Sequence, residues 1–249
     1  MKITRSIGML LYLLCCSLES QSIELDRNDL VTLFTKGSIQ EQTISLKALE
    51  WSGIEDTKIF DQIEKNVLEH YQTATGRSNV EWVVWGTKAL SFSGNKKYLP
   101  TIDKVFDDGN HRRIRAYAEQ SYAQLLKRAT WNRIINQDIN DSKDSSEIKR
   151  FSNMLRSEIP ELNRLASKRI YFQRIDNEII TAILLEKLEQ IKSRRGSKIE
   201  SDAYAWMVKA LGVSGCTKHI AIIQNLAAEA ADKKLRKNAK KIGKACVNI

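Results

Sequence analysis

The chain has 249 residues, with 40 lysines and arginines against 30 aspartates and glutamates, and so a formal net charge of +10 at pH 7. It contains two prolines and eleven glycines, and no alternation of polar and apolar residues persists for long, which excludes a sheet-based fold and predicts an all-α one. The three histidines are isolated from one another and from any cysteine or carboxylate at metal-ligand spacing, so no metal, cofactor or catalytic residue is expected.

Residues 1–22 have the pattern of a secretory signal peptide. Lys2 and Arg5 provide a positively charged start, and the apolar run Ile7–Leu14 follows. This run is too short to form a stable membrane span. We therefore expect a periplasmic or secreted protein in which residues 23–249 form one domain, with no transmembrane segment after signal removal.

Two other interpretations of this segment stay open. The apolar run could be a buried first helix. Cys15 and Cys16 follow leucines, as a lipidated cysteine does, but the residue before a lipidated cysteine should be small and Leu14 is not. Anchoring as a lipoprotein is therefore the less favoured alternative.

A short motif recurs along the chain. Lys-Ala-Leu is followed three residues later by Ser-Gly, in copies that begin at Lys47, Lys88 and Lys209. The first two copies lie 41 residues apart and the last two 121 apart, close to three more steps of the same length. Such a period is typical of a helical solenoid, in which each unit buries its apolar face by stacking on its neighbours. Counting back from Lys209 places diverged units near residues 168 and 128, so five or six helix pairs fit the length.

The second and third copies align over a longer stretch. Residues 85–126 match residues 206–247 without a gap, with ten identities in 42 positions. Unrelated sequences share fewer by chance, so common ancestry is the better explanation. The identical residues pair Trp85 with Trp206, Lys88 with Lys209, Ala89 with Ala210, Leu90 with Leu211, Ser93 with Ser214, Gly94 with Gly215, Lys97 with Lys218, Ile102 with Ile223, Arg115 with Arg236 and Ala118 with Ala239.

Each unit is predicted to be an antiparallel helix pair. Val84, Ala89 and Leu90 form an apolar stripe on the first helix, which ends at the Ser-Gly pair because glycine adopts the left-handed conformation readily. Pro100 lies in the first turn of the second helix, where its missing N–H does no harm. The apolar residues of the second helix, and of the helix that opens the next unit, recur at spacings of three and four. They are Leu99, Ile102, Val105 and Phe106, then Ile114, Ala118, Tyr122 and Leu125.

This layout resembles the HEAT repeat, the two-helix unit of armadillo-like superhelices. The shared features are a first helix ending in Ala-Leu, a glycine turn, a proline near the start of the second helix, and an arginine three residues before an alanine in the next helix. Arg115 with Ala118, and Arg236 with Ala239, fit the last feature. The aspartate usual in the turn is replaced in the later copies. The resemblance implies a right-handed α-α superhelix that presents a curved surface to other macromolecules.

The centre of the chain, about residues 130–200, is predicted to be helical but lacks the motif. Residues 145–158, a helix opened by Pro160 and a long helix capped by Asp176 have apolar residues at helical spacing, and Arg194–Ser197 forms a loop after them. These apolar residues are Ile148, Phe151 and Leu155, then Leu162, Leu165, Ile170 and Phe172, then Ile180, Leu184, Leu188 and Ile191.

Cys216 and Cys246 remain if the signal peptide is removed, in a compartment that oxidises thiols. Cys216 lies in the turn between two helices of the last unit, and the following helix returns Cys246 to the same edge. A disulfide between them would fix the last helix and stabilise the fold by about 3–4 kcal/mol. Two free thiols are the alternative.

The last helix is the most basic element, and a second basic cluster surrounds Arg112 and Arg113. A polar outer face on a terminal solenoid helix prevents further stacking, so solvation alone is one explanation. The other is an interaction surface for an acidic partner, because Arg112 and Arg113 occupy the repeat positions of Lys233 and Lys234 and would share an edge with them. Arg115 and Arg236 are expected to serve packing between units. The predicted partner-binding residues are Arg112, Arg113, Lys233, Lys234 and Lys237.

These features predict a non-enzymatic interaction scaffold that binds an acidic macromolecule. A protein is the expected partner, with an anionic glycan or a lipid head group as alternatives. Solenoids have extended surfaces, which favour protein or polymer ligands over small substrates.

The rival hypothesis is an envelope enzyme or enzyme accessory with a site in residues 130–200. Two converging carboxylates or a bound metal there would favour it. Elsewhere, Glu81 near Trp85, or Asp202 near Trp206, could suggest a carboxylate beside an aromatic wall. Helical spacing explains both tryptophans more simply as core residues, because they fall at one repeat position.

A nucleic-acid-binding function is less favoured. The HEAT-like DNA glycosylases bind duplex DNA in a positively charged groove, which agrees with the charge and the repeat. A secretory signal argues against it, and no catalytic residue of that family can be placed in this sequence.

Overall fold

The computed structural model describes residues 27–139, 145–214 and 217–247, and in these ranges it contains α-helices, one 3₁₀ turn at Lys96–Tyr98 and no strand. The all-α prediction is confirmed. The predicted signal peptide, residues 1–22, lies outside the described residues. The twelve helices of the described ranges are α1 (Arg27–Lys36), α2 (Ile39–Ser52), α3 (Thr57–His70), α4 (Gly76–Phe92), α5 (Leu99–Asp108), α6 (Arg112–Ile135), α7 (Ser146–Arg156), α8 (Pro160–Gln173), α9 (Glu178–Ile191), α10 (Lys198–Val213), α11 (Ile220–Glu229) and α12 (Lys233–Val247).

The helices form two layers, as in a solenoid. The even-numbered helices pack side by side, α2 on α4 and α4 on α6, then α8 on α10 and α10 on α12. The odd-numbered helices form the other layer and touch one another much less. The even-numbered helices are therefore the more closely packed layer.

Helix pairing differs from the sequence-based expectation. The helix that ends at a Ser-Gly turn makes little contact with the helix that follows it. The close antiparallel pairs are instead α3 with α4, α5 with α6, α9 with α10 and α11 with α12. A repeat period sets the length of a unit but leaves open where the unit begins, which is why the sequence suggested the other pairing.

The 121-residue offset is present in the helix boundaries. The bounds of α5 and α11 differ by this offset at both ends, and so do the first residues of α6 and α12. Arg115 Nη1 donates to Gly109 O at 2.5 Å, and Arg236 Nη1 donates to Ala230 O at 2.6 Å. The two arginines therefore tie their helices to the preceding turn, as expected for packing residues.

The three central helices lie where they were predicted, with corrections to individual residues. Asn177, and not Asp176, caps α9, since its side chain accepts hydrogen bonds from the backbone N–H groups of Ile179 and Ile180. Three aromatic residues assigned to apolar faces are exposed instead, because each lies at the border of its helix stripe. They are Phe106 at 44%, Tyr122 at 40% and Phe172 at 60% exposure.

The core consists of two apolar clusters joined by α6. Residues of α1 to α6 as far as Leu125 form the first cluster, and residues from Ile135 onwards form the second. Trp51, at the end of α2, belongs to the second cluster although its helix lies in the first half. The two halves of the chain therefore share packing.

Three polar residues spaced by four, two on α6 and one at its C-cap, bind the ends of the two preceding even-numbered helices. Arg128 Nη2 donates to Glu50 O, Asn132 Nδ2 donates to Phe92 O at 3.0 Å, and Asn136 Nδ2 donates to Gly53 O at 2.7 Å. The turns that follow the first two Lys-Ala-Leu copies therefore rest against α6. No helix in the described ranges combines the length and apolar character that a membrane span requires.

Candidate binding surface

The predicted partner-binding residues lie in the first two turns of the equivalent helices α6 and α12, and all of them are exposed. They are Arg112, Arg113, Lys233, Lys234 and Lys237. The guanidinium of Arg113 lies 5.8 Å from the ring centroid of Tyr117, and Lys234 Nζ donates to Asp202 Oδ1 at 2.5 Å. No hydrogen bond or ion pair of the described ranges joins the two groups, so their shared edge stays a prediction.

The lysine of the repeated motif lies over a tryptophan in both halves of the chain. Lys88 Nζ is 3.6 Å from the ring centroid of Trp85, and Lys209 Nζ is 3.9 Å from that of Trp206. Both tryptophans are half-buried, so they were only partly explained as core residues. The sequence alignment contained this signal, because both members of the pair are identical across the 121-residue offset.

A second lysine approaches each tryptophan from the preceding even-numbered helix. Lys47 Nζ lies 5.4 Å from the ring centroid of Trp85, and Lys168 Nζ lies 5.8 Å from that of Trp206. Lys47 and Lys168 are themselves 121 residues apart. Each ring therefore faces two ammonium groups, one from its own helix and one from a neighbour.

A basic residue occupies this position on five successive even-numbered helices, α2 to α10. The steps between them are 40 or 41 residues. The sequence-based count expected diverged units near residues 128 and 168, and a base stands at both. We name these residues the basic row: Lys47, Lys88, Arg128, Lys168 and Lys209.

Equivalent carboxylates accompany the tryptophans. Lys47 Nζ lies 2.8 Å from Glu81 Oε1, and this hydrogen bond lowers the pKa of Glu81. Asp202, 121 residues after Glu81, pairs with Arg164 and Lys234. Burial alone would raise the pKa of Asp202, but hydrogen bonds from Lys234 and Arg164 outweigh burial and hold the pKa below its ordinary value.

Arg128 is the buried member of the row. It is 1% exposed, and its guanidinium lies 4.8 Å from the ring centroid of Phe92 and 5.3 Å from that of Trp131. Burial lowers the pKa of Arg128 to about 10, with the carboxylate of Glu50 opposing the shift. This side chain therefore serves packing and supplies positive charge beneath the surface.

Cations of α8 lie near the end of α2 and near Lys88. Arg169 on α8 lies 3.5 Å from the ring centroid of Trp51 on α2. Burial lowers the pKa of Lys88; Glu50 opposes this shift, while the charges of Lys168, Arg128 and Lys47 add to it. We name Lys88, Arg128, Lys168 and Arg169 the junction cluster.

Within the described ranges, the carboxylates of the central segment that form ion pairs do so with lysines. Glu158 pairs with Lys187 at 3.1 Å, and Glu161 pairs with Lys127 at 3.9 Å. No group of three histidine, cysteine, aspartate or glutamate residues that could hold a metal occurs within the described ranges. The central segment contributes Lys168 to the basic row.

The structure describes only one of the two cysteines of the predicted disulfide. Cys246 lies on α12 and is 4% exposed. Cys216 lies outside the described residues, so the bridge between the two stays a prediction.

No protein-family model matches this chain, and neither a curated protein nor a solved structure shows significant similarity to it.

Proposed function

We propose that this protein is a non-enzymatic binding scaffold that holds an acidic segment of a partner protein against the basic row of its even-numbered helices. The observation that carries the proposal is the lysine–tryptophan pair, which recurs after 121 residues with nearly the same distance, at 3.6 Å and 3.9 Å. An ammonium held over an indole ring has lost part of its rotational freedom before a ligand arrives. Such preorganisation reduces the entropy lost on binding.

The cation–π contact suits anion binding because it leaves the ammonium donors available. A cation over a tryptophan gains about 0.5–1 kcal/mol at an exposed site without forming a hydrogen bond. Lys47 is bonded to Glu81, whereas Lys88 forms no ion pair within the described ranges. Lys88 therefore keeps its N–H donors for an external carboxylate.

A protein partner is favoured over single-stranded nucleic acid. Proteins that bind single strands stack the bases on exposed aromatic faces. Here, lysines of the same chain lie against the rings of Trp85 and Trp206. Carboxylates need no stacking platform, so an acidic polypeptide fits this surface better.

The HEAT-like ancestry and the extracytoplasmic location belong to the same proposal. The 40-residue spacing of the basic row and the paired arginine contacts at Gly109 and Ala230 support a repeat of HEAT type. The pattern of residues 1–22 supports the location.

The test measures binding of a fluorescent poly-glutamate peptide by anisotropy. We expect binding that weakens as salt screens the charges, and a loss of about tenfold in affinity for the double variant Lys88→Met and Lys209→Met. Methionine keeps an unbranched apolar stem against the ring and removes the charge. The matched control, Lys233→Met with Lys237→Met, removes two exposed charges from α12 and should bind nearly as the parent does.

Two results would contradict the proposal. A larger loss in the α12 control would place binding at the ends of the helices, away from the basic row. Tighter binding of duplex or single-stranded DNA than of poly-glutamate at equal salt would indicate a nucleic-acid ligand.

A further inference from the structure

We propose that the junction cluster forms a binding site for a tetrahedral dianion, a phosphate or a sulfate group. The inference rests on the proposed function in one respect: the anion would be presented by the acidic partner. It adds the chemistry of one ligand group at one place on the even-numbered helices.

The first argument is convergence. The junction cluster draws Lys88 from α4, Arg128 from α6, and Lys168 with Arg169 from α8. Lys88 Nζ lies 5.9 Å, and the guanidinium of Arg128 4.8 Å, from the ring centroid of Phe92. Arg169 lies over Trp51, whose neighbour Glu50 accepts a hydrogen bond from Arg128 through its carbonyl oxygen, and the charge of Lys168 acts on Lys88. Three helices that are distant along the chain therefore direct cations towards one region.

The second argument is unbalanced charge. Glu50 is the carboxylate shared by Lys88, Arg128 and Arg169, and Glu147 lies near Arg169. Four cations against two carboxylates leave an excess of two positive charges. Within the described ranges, no ion pair is formed by Lys88, by Lys168 or by Arg169. A dianion would balance the cluster, whereas a single carboxylate would leave it positive.

The third argument is an unused donor. The Nε atom of Arg169 is buried and has no hydrogen-bond partner. Buried donors are normally satisfied, so an unpaired one needs an explanation, and a bound ligand is one. A guanidinium can bind phosphate through two parallel hydrogen bonds, and Arg169 is held over Trp51 while remaining only half-buried. Arg128 would contribute its charge from below.

The equivalent place in the second half differs in its ion pairs, which makes it a natural control. Lys209 lies over Trp206 as Lys88 lies over Trp85, but Lys209 is close to the carboxylate of Asp202. Asp202 already pairs with Arg164 and Lys234. Two otherwise similar lysines therefore differ in whether cations beside them already have a carboxylate partner.

The experiment titrates inorganic phosphate into the purified chain by calorimetry, with chloride at equal ionic strength as the reference. We expect saturable phosphate binding with no counterpart in chloride, and a loss of about tenfold in affinity in both Lys88→Met and Lys168→Gln. Lys168 is exposed, so its replacement leaves the fold intact. Lys209→Met should bind phosphate within about twofold of the parent, because it retains the junction cluster.

A second arm identifies the source of the anion. An acidic peptide with one phosphoserine is compared with its glutamate counterpart and with inorganic phosphate. Tighter binding of the phosphopeptide than of the other two ligands indicates a phosphate group carried by the partner. Inorganic phosphate that binds as tightly as the phosphopeptide indicates a free ion. Both results support the site.

The inference is overturned if phosphate gives no more saturable binding than chloride does, or if Lys209→Met loses as much phosphate affinity as Lys88→Met. If phosphate fails while poly-glutamate still binds the basic row, the proposed function stands without this site. If phosphate binds but poly-glutamate does not, the site stands and the proposed function fails.

Discussion

Lysines at equivalent repeat positions of this chain have different roles, which depend on the side chains beside them. Lys47 has a carboxylate partner in Glu81. Lys88 lies against Trp85 and close to other cations, so burial and neighbouring charge work against its protonated form. Lys88 therefore lies where the surroundings disfavour the charged form of a lysine. Side chains whose pKa is perturbed in this way cluster at functional sites.

Asp202 on α10 links the two neighbouring even-numbered helices, since it pairs with Arg164 from α8 and Lys234 from α12. We predict that Asp202→Asn lowers the free energy of unfolding by about 1 kcal/mol at neutral pH. The pKa of Asp202 is lowered in the folded state. Its contribution is therefore complete above the unfolded value of about 3.9 and is lost as the pH falls through the folded pKa.

Urea denaturation of the parent and of Asp202→Asn, from neutral pH down to acid pH, measures this contribution. The difference between the two curves should shrink towards zero at acid pH. Asp103→Asn, at an exposed aspartate with no ion pair in the described ranges, is the control and should match the parent throughout. A difference for Asp202→Asn that does not change with pH would show that lost packing, and not lost charge, is responsible.

At the scale of elements, the turns after α2 and α4 are specified by their contact with α6. Gly53 has φ 65° and Gly94 has φ 67°, both in the left-handed region. A Cβ atom on Gly94 would lie 2.7 Å from the backbone nitrogen of Ala129 on α6. The glycine of the motif is therefore required for two reasons, the backbone conformation and the close approach of another helix.

Gly94→Ala and Gly76→Ala separate these two reasons. Gly76 has φ 74°, but nothing lies within 4 Å of the position of its Cβ. We predict that Gly76→Ala costs about 1–2 kcal/mol from backbone strain alone. Gly94→Ala should cost about 1–3 kcal/mol more, because α6 must shift to admit the methyl group.

Chemical denaturation of both variants gives the comparison, and circular dichroism checks that the helical content is kept. Equal losses would mean that α6 moves aside without cost and that the turns do not fix its position. Greater loss in Gly76→Ala would contradict the argument altogether.

The sequence predicted individual helices more reliably than their partners. Ten identities over 42 positions were enough to align α5 with α11, whose bounds differ by 121 residues at both ends. Periodicity does not specify which neighbour a helix packs on, so the close pairing of α5 with α6 was not predicted. The register of single residues at a stripe border, such as Tyr122, depends on that neighbour and was wrong for the same reason.

The candidate site was partly visible in the sequence. Lys88 and Trp85 could have been linked by their joint identity across the offset, and residues 128 and 168 were expected as diverged units. Trp85 was interpreted as core, because helical spacing does not indicate whether a lysine will lie over the exposed side of a ring. Arg169 was not found at all, since its partner Trp51 is 118 residues away in the sequence and only the fold brings them together.

At the scale of the whole molecule, α6 connects two apolar clusters that the repeat pattern alone would not join. It is the longest helix described, at 24 residues, and it contributes Leu125 to the first cluster and Ile135 to the second. The bonds from Arg128 to Glu50 and from Asn136 to Gly53 connect α6 with the first half of the chain. Long stacks of repeats can unfold in parts, because each unit contacts only its neighbours, but a helix shared by both halves opposes this.

We therefore predict a single cooperative unfolding transition. Ile63→Ala in the first cluster and Leu184→Ala in the second should each lower the free energy of unfolding by about 2–5 kcal/mol. Each should therefore move the whole transition to a lower urea concentration, while the dependence of the unfolding free energy on urea stays unchanged. Helical content and tryptophan fluorescence, followed in urea, should give coincident curves for the parent and for both variants. A two-step curve in which Ile63→Ala moves one step and Leu184→Ala the other would mean that the clusters unfold separately. In that case α6 would not couple them, and the junction cluster would lie between two independent bodies instead of within one.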